Sequence, residues 1–150
     1  MSNNMVKDHL AEANELFRSG FNCSQAVLAV FSEEFGLPVK SALKIADPFG
    51  RGMGGRGLTC GALTGAMMVI GLKYGTTSAD NADSLRIVRE KTRQLIESFE
   101  KDYGTTLCSE LTGYDQKSLN GPELMAMLPH FHNTCPRFLD TVITFLEEEL

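Results

Sequence analysis

The sequence predicts an all-α fold, a single-domain helical bundle of about five to seven helices spanning residues 1–150. Three observations carry this. Apolar residues recur every three or four positions along most of the chain. All such runs but the last end at or beside a glycine or a proline. A glycine-rich loop, Phe49 to Gly57, opens onto a run that is apolar nearly all round, as a central buried helix would be.

The elements follow in order. A first helix is predicted from about Met5 to Ser19, with Val6, Leu10, Ala13 and Phe17 on one face and Gly20 as its stop. A second begins after Asn22, an N-cap with Gln25 at the N3 position of a capping box. Its apolar face is Val27, Val30, Phe31 and Phe35, and Gly36 ends it. Val39 to Ala46 is a short helical segment, closed by Asp47-Pro48 because a residue before proline is biased away from helix.

Cys60 to Lys73 reads as the central helix. Met68-Val69-Ile70 suggests a strand as the rival, but alanine, methionine and leucine dominate and the run is too long. Gly65 and Gly71 inside it each cost up to ~1 kcal/mol against alanine, which implies a packing need. The longest helix is predicted from about Ala79 to Tyr103, stepping through Leu85, Val88, Leu95 and Phe99. Thr105 to Leu111 is a short helix, Gly113 to Pro122 irregular with a turn at Asp115 to Asn120, and Glu123 to Leu128 a short helix stopped by Pro129. The last helix starts after Thr134 with Cys135 and Pro136 in its first turn, and Leu139, Val142, Ile143, Leu146 and Leu150 form its stripe.

Composition narrows the function classes. With 14 basic and 19 acidic side chains the formal net charge is -5, which disfavours nucleic acid and anionic membranes as partners. The longest nearly apolar run, Ala62 to Leu72, falls short of the roughly 20 residues of a membrane span. The first residues lead straight into charged, periodic sequence without the features of a signal peptide. A reducing cytoplasm is therefore the expected location, where cysteines serve more often as metal ligands or redox groups than as structural disulfides.

All four cysteines fall at or near predicted helix starts: Cys23, Cys60, Cys108 and Cys135. The unpaired N–H groups and dipole of a helix N-terminus stabilise a thiolate, which is the nucleophilic and metal-binding form of cysteine. The placement thus predicts thiolates, and a shared site if the four helix starts meet at one end of the bundle. No C-x-x-C occurs.

Taken together, Cys23 within Gly20-Phe21-Asn22-Cys23-Ser24-Gln25-Ala26, the hexad Cys60-Gly61-Ala62-Leu63-Thr64-Gly65, and the single Cys108 and Cys135 resemble the redox-active protein family known by its C_GCAxxG_C_C signature. The label places glycine before cysteine, whereas Thr59 precedes Cys60 here. The resemblance implies a helical fold and a redox role. A related helical segment resembles part of the split-Soret cytochromes, where cysteines of this type go with an iron–sulfur site. The chain has no C-x-x-C-H motif, so no haem is expected.

Three functions stay open. The first is a thiol–disulfide redox centre, with Cys60 as attacking thiolate, a second cysteine resolving, and a redox partner protein or a small thiol or disulfide as substrate. The second is an electron carrier whose iron–sulfur cluster is held by Cys23, Cys60, Cys108 and Cys135. The third is a non-enzymatic metal-binding or interaction domain, for example with zinc on the same four cysteines.

Other signals bear on the same site. Gly50-x-Gly52-x-x-Gly55 matches the dinucleotide fingerprint, but no strand precedes it and no nucleotide is expected. The loop instead offers Gly55, Gly57 and Gly61 as a backbone cradle for an anion, with Arg51 and Arg56 read as solvated. His130 and His132 stand just before Cys135, where an imidazole would activate a thiolate or bind metal. Met67, Met68, Met125 and Met127 read as core.

Overall fold

The computed structural model describes residues 7–150; the predicted helix start at Met5 and the face residue Val6 lie outside them. Among the described residues the helices number eight: α1 His9–Arg18, α2 Cys23–Ser32, α3 Val39–Ala46, α4 Gly61–Tyr74, α5 Ala82–Tyr103, α6 Cys108–Thr112, α7 Gly121–Thr134 and α8 Pro136–Glu149. No strand forms among these residues, and the one β-bridge pairs Thr59 with Leu107. The fold class is the one the sequence predicts.

Two helices make the centre. Every residue of α2 from Ser24 to Ser32 is buried, and α4 buries Gly61 to Ala66 together with Val69 and Ile70. They share the most extensive contact of any helix pair, and glycine lets them approach closely. A Cβ built on Gly65 would stand 2.8 Å from the Ser24 carbonyl oxygen and 3.0 Å from Val27 Cβ; one on Gly61 would meet Ser24 N at 3.1 Å and Cys23 Cβ at 3.2 Å. The packing need read from Gly65 is thus real. At Gly71 it is absent, because a Cβ there meets nothing within 4 Å.

The other helices close around this pair. Leu139, Val142, Ile143 and Leu146 of α8 are fully buried, as their stripe predicts, and Leu95 and Phe99 anchor α5. The capping box at the start of α2 is formed, with Gln25 N donating to Asn22 Oδ1 at 3.0 Å and Asn22 N to Gln25 Oε1 at 2.9 Å. The acidic end of α8 is partly neutralised: Lys91 Nζ reaches Glu149 Oε2 at 2.5 Å.

Two expectations are corrected. α7 does not stop at Pro129 but runs through it to Thr134. The proline leaves the Met125 carbonyl without its helical donor, which is tolerable because Met125 is 68% exposed and water can serve instead. Meanwhile Leu124, Met127 and Phe131 pack on the core and hold the helix together. The same exposure removes Met125 from the predicted methionine core.

Candidate cysteine site

Each cysteine arrives by its own local logic. Cys23 is the first residue of α2, fixed by the Asn22 capping box. Cys60 is the N-cap of α4, and its N–H donates to the Thr106 carbonyl at 2.8 Å. Cys108 is the first residue of α6, its N–H donating to the Leu58 carbonyl at 2.6 Å. These two bonds flank the Thr59–Leu107 bridge, so Cys60 and Cys108 are diagonal neighbours on one side of it. Cys135 joins α7 to α8 in right-handed helical geometry, with its N–H bonded to the Phe131 carbonyl at 2.9 Å.

The four helix starts do meet. Cys23, Cys60, Cys108 and Cys135 all line one cavity of about 400 Å³. All four are free thiols; Cys60 and Cys135 are buried, while Cys23 and Cys108 are partly exposed.

The expectation of a thiolate at every helix start is not met. Burial pushes Cys60 up from 9.0 to about 12, although the nearby Ala62 and Leu63 amides pull it down without closing a full cap hydrogen bond. A rise of that size is worth roughly 4 kcal/mol. A helix terminus supplies about 0.3–2 kcal/mol, so desolvation wins. Cys108 is likewise pushed up to about 12 by burial and by Cys135, against the opposing charge of Arg51. Its helix terminus is already engaged, since Ser109 N donates to the Gly57 carbonyl at 3.2 Å and Cys108 N to Leu58.

Cys23 and Cys135 behave as a pair. The neighbouring Cys135 sulfur raises Cys23 well above its ordinary value, and burial adds to the rise. Cys23 in turn lowers Cys135 despite its burial, and the Arg137 charge helps. Cys135 is therefore the acidic member of the set.

The glycine loop has a different role from the predicted cradle. Gly55 N donates to the Gly50 carbonyl at 3.2 Å and Gly57 N to the Arg51 carbonyl at 3.1 Å, so neither amide is available to an anion. Gly61 lines the cavity, and its missing side chain lets α4 approach Cys23. Arg51 is not solvated as expected. It adopts φ 52°, and its side chain donates to Gln116 Oε1 at 3.1 Å, to the Gln116 carbonyl at 3.0 Å and to the Leu119 carbonyl at 3.2 Å. Arg56 is exposed.

The histidines separate. His132 lines the cavity with its ring edge on Phe17, whereas His130 Nε2 bonds the Thr112 carbonyl at 3.0 Å and packs against Tyr114. Sequence reasoning missed the buried Gln116, which sits in a segment read as irregular and carries no periodicity to reveal it. It also missed the aromatic wall of the cavity, because Phe17, Phe131 and Phe138 look like ordinary helix-face residues.

The family model described as "Putative redox-active protein (C_GCAxxG_C_C)" matches residues 21–149. The chain belongs to this family. No curated protein and no solved structure matches it. The C_GCAxxG_C_C match runs from just before Cys23 to the end of α8, so it takes in all four cysteines and every cavity residue except Phe17 to Gly20.

Proposed function

We propose that this C_GCAxxG_C_C protein is a thiol–disulfide redox centre in which Cys135 attacks and Cys23 resolves. The observation that carries the reading is the meeting of Cys23 and Cys135 in one cavity, where each sulfur shifts the acidity of the other in the opposite direction. Cys135 holds thiolate at a pH where Cys60 and Cys108 stay protonated, so the attacking role moves from Cys60 to Cys135.

The chemistry balances. The Cys135 thiolate attacks one sulfur of a substrate disulfide, forms a mixed disulfide and expels the other sulfur as thiolate. Cys23 then gives its proton to the expelled thiolate and attacks Cys135 Sγ, expelling the second substrate sulfur as thiolate. One Cys23–Cys135 disulfide forms, and the substrate gains two electrons. A small molecule suits the site better than a protein disulfide, because Cys135 is buried. Four free thiols suit a reducing compartment such as the cytoplasm.

Mild oxidation followed by peptide mapping tests this. A Cys23–Cys135 bond, with loss of two hydrogens, is the expected product. Exclusive formation of another pairing would remove the assignment.

An iron–sulfur centre is the second reading, and one observation favours it over zinc. Among the described residues no three His, Cys, Asp or Glu side chains come together closely enough to hold a single metal ion, yet four thiols face one cavity. Cys23, Cys60, Cys108 and Cys135 would be the residues to hold a cluster there. The Ala62 and Leu63 amides beside Cys60 Sγ are the kind of donors that tune such clusters. Held there, a cluster would supply one-electron transfer. Anaerobic reconstitution decides: four-cysteine-dependent iron and sulfide binding supports this reading, and colourless, iron-free protein removes it.

A further inference from the structure

We propose that the cysteine cavity binds a neutral, planar two-electron acceptor of the quinone class, which oxidises the Cys23–Cys135 dithiol. The inference rests on the dithiol reading above and names its oxidant.

The cavity's walls argue for a flat, conjugated ring as guest. Phe17, Phe21, Phe131 and Phe138 stand beside the sulfurs, with Leu124 and Leu128 completing the apolar surface. Phe131 and Phe138 flank Cys135 at helical spacing, so the ring-bearing wall and the thiol share one side of the α7–α8 junction. The volume of about 400 Å³ lies in the range of small-ligand pockets, enough for a substituted single ring and far too small for a folded disulfide partner.

Its charges argue for a neutral guest. No Asp or Glu lines the cavity. Of its two arginines, Arg51 is bound to Gln116 and Leu119, and Arg18 is exposed where Ser19 and Gly20 mark the opening. A peptide disulfide bearing carboxylates and ammonium groups would lose its water there without partners, which is costly. A flat ring with two carbonyl oxygens loses little. N–H groups are present for those oxygens: Gln116 Nε2 gives one hydrogen to Thr112 Oγ1 at 3.0 Å and keeps a second, and His132 lines the same wall.

The step balances without a further reactant. The Cys135 thiolate and the Cys23 thiol together give up two electrons and one proton, and their sulfurs join. The quinone takes the two electrons, that proton and one from solvent, and leaves as hydroquinone.

The probe is duroquinone, whose four methyl groups leave no ring C–H at which a thiol adduct could rearomatise to a stable thioether. Reduced full-length protein is mixed with it anaerobically, and hydroquinone and free thiols are counted. The expected result is saturable oxidation, one hydroquinone per two thiols lost, and a Cys23–Cys135 bond. Leu128→Trp, which fills the cavity, should slow the reaction at least about tenfold at fixed quinone. If that variant does not fold, calorimetry of duroquinone with the Cys23→Ser/Cys135→Ser protein replaces it, with one saturable site expected. Oxidation that never saturates, a folded Leu128→Trp protein of undiminished rate, or absence of binding would overturn the proposal. Diamide, a small polar oxidant, separates the two levels. If it closes Cys23–Cys135 while duroquinone does nothing, only the quinone inference fails; if it forms no such bond, the dithiol reading fails as well.

Discussion

Cys23 and Cys135, from opposite ends of the chain, line one cavity and perturb each other's acidity. Their interaction makes Cys135 more acidic and Cys23 less so. A thiol that donates to a neighbouring thiolate stabilises it by about 1.5–3 kcal/mol. Cys23→Ala should therefore move the alkylation midpoint of Cys135 upward and slow its labelling at neutral pH roughly ten- to hundredfold. Iodoacetamide rates against pH, read by peptide mass spectrometry, measure this. An unchanged midpoint would remove the pairing.

Burial of Cys60 has a consequence for stability at alkaline pH. Its thiol is raised to about 12 in the folded protein and ionises near 8.5 when unfolded. Between those values the folded state binds more protons than the unfolded state, so stability falls as pH rises through that window. Below it the full contribution is present. Cys60→Ala should flatten the decline by up to ~1.4 kcal/mol per pH unit, compared with wild type in urea melts from pH 8.5 to 11. Equal slopes would show that the thiol ionises no later in the fold than out of it.

Two glycines of one helix should respond oppositely to alanine. At Gly65 the new methyl would press on the Ser24 carbonyl at 2.8 Å, and separating α4 from α2 should cost about 1–3 kcal/mol. At Gly71 the methyl meets open space, so Gly71→Ala should stabilise by about 0.5–1 kcal/mol through helix propensity. Thermal melts of both variants give the comparison. Stabilisation at Gly65 would mean that α2 and α4 do not pack as closely as described.

Arg51 binds the glycine loop to the Gln116 turn through three hydrogen bonds. Arg51→Met leaves two carbonyls without their charged donor and should destabilise the protein by about 2–4 kcal/mol. Gln116→Ala, which removes only one of these acceptors, should cost less. Denaturation midpoints test the order, and equal losses would show that the side-chain bond alone carries the contact.

Much of this molecule was legible in its residues. The helical repeat of Leu139, Val142, Ile143 and Leu146 gave the stripe of α8 because burial of one helix face depends on spacing alone. Asn22 and Gln25 foretold the start of α2, since a capping box is local. The extent of α7 was not legible. Proline opposes a helix locally, while packing of Leu124, Met127 and Phe131 decides in its favour from outside the segment.

The sequence by itself determined the all-α class, the four cysteines and their stations at or beside helix starts, for those depend on contacts within a few residues. Only the tertiary structure decided that the four thiols share one cavity, and that Cys135 rather than Cys60 is the acidic one. The physical reason is desolvation. A helix terminus offers a thiolate a modest fixed dipole, but the cost of burying charge is set by everything packed around it, and the relief at Cys135 comes from Cys23 across the bundle.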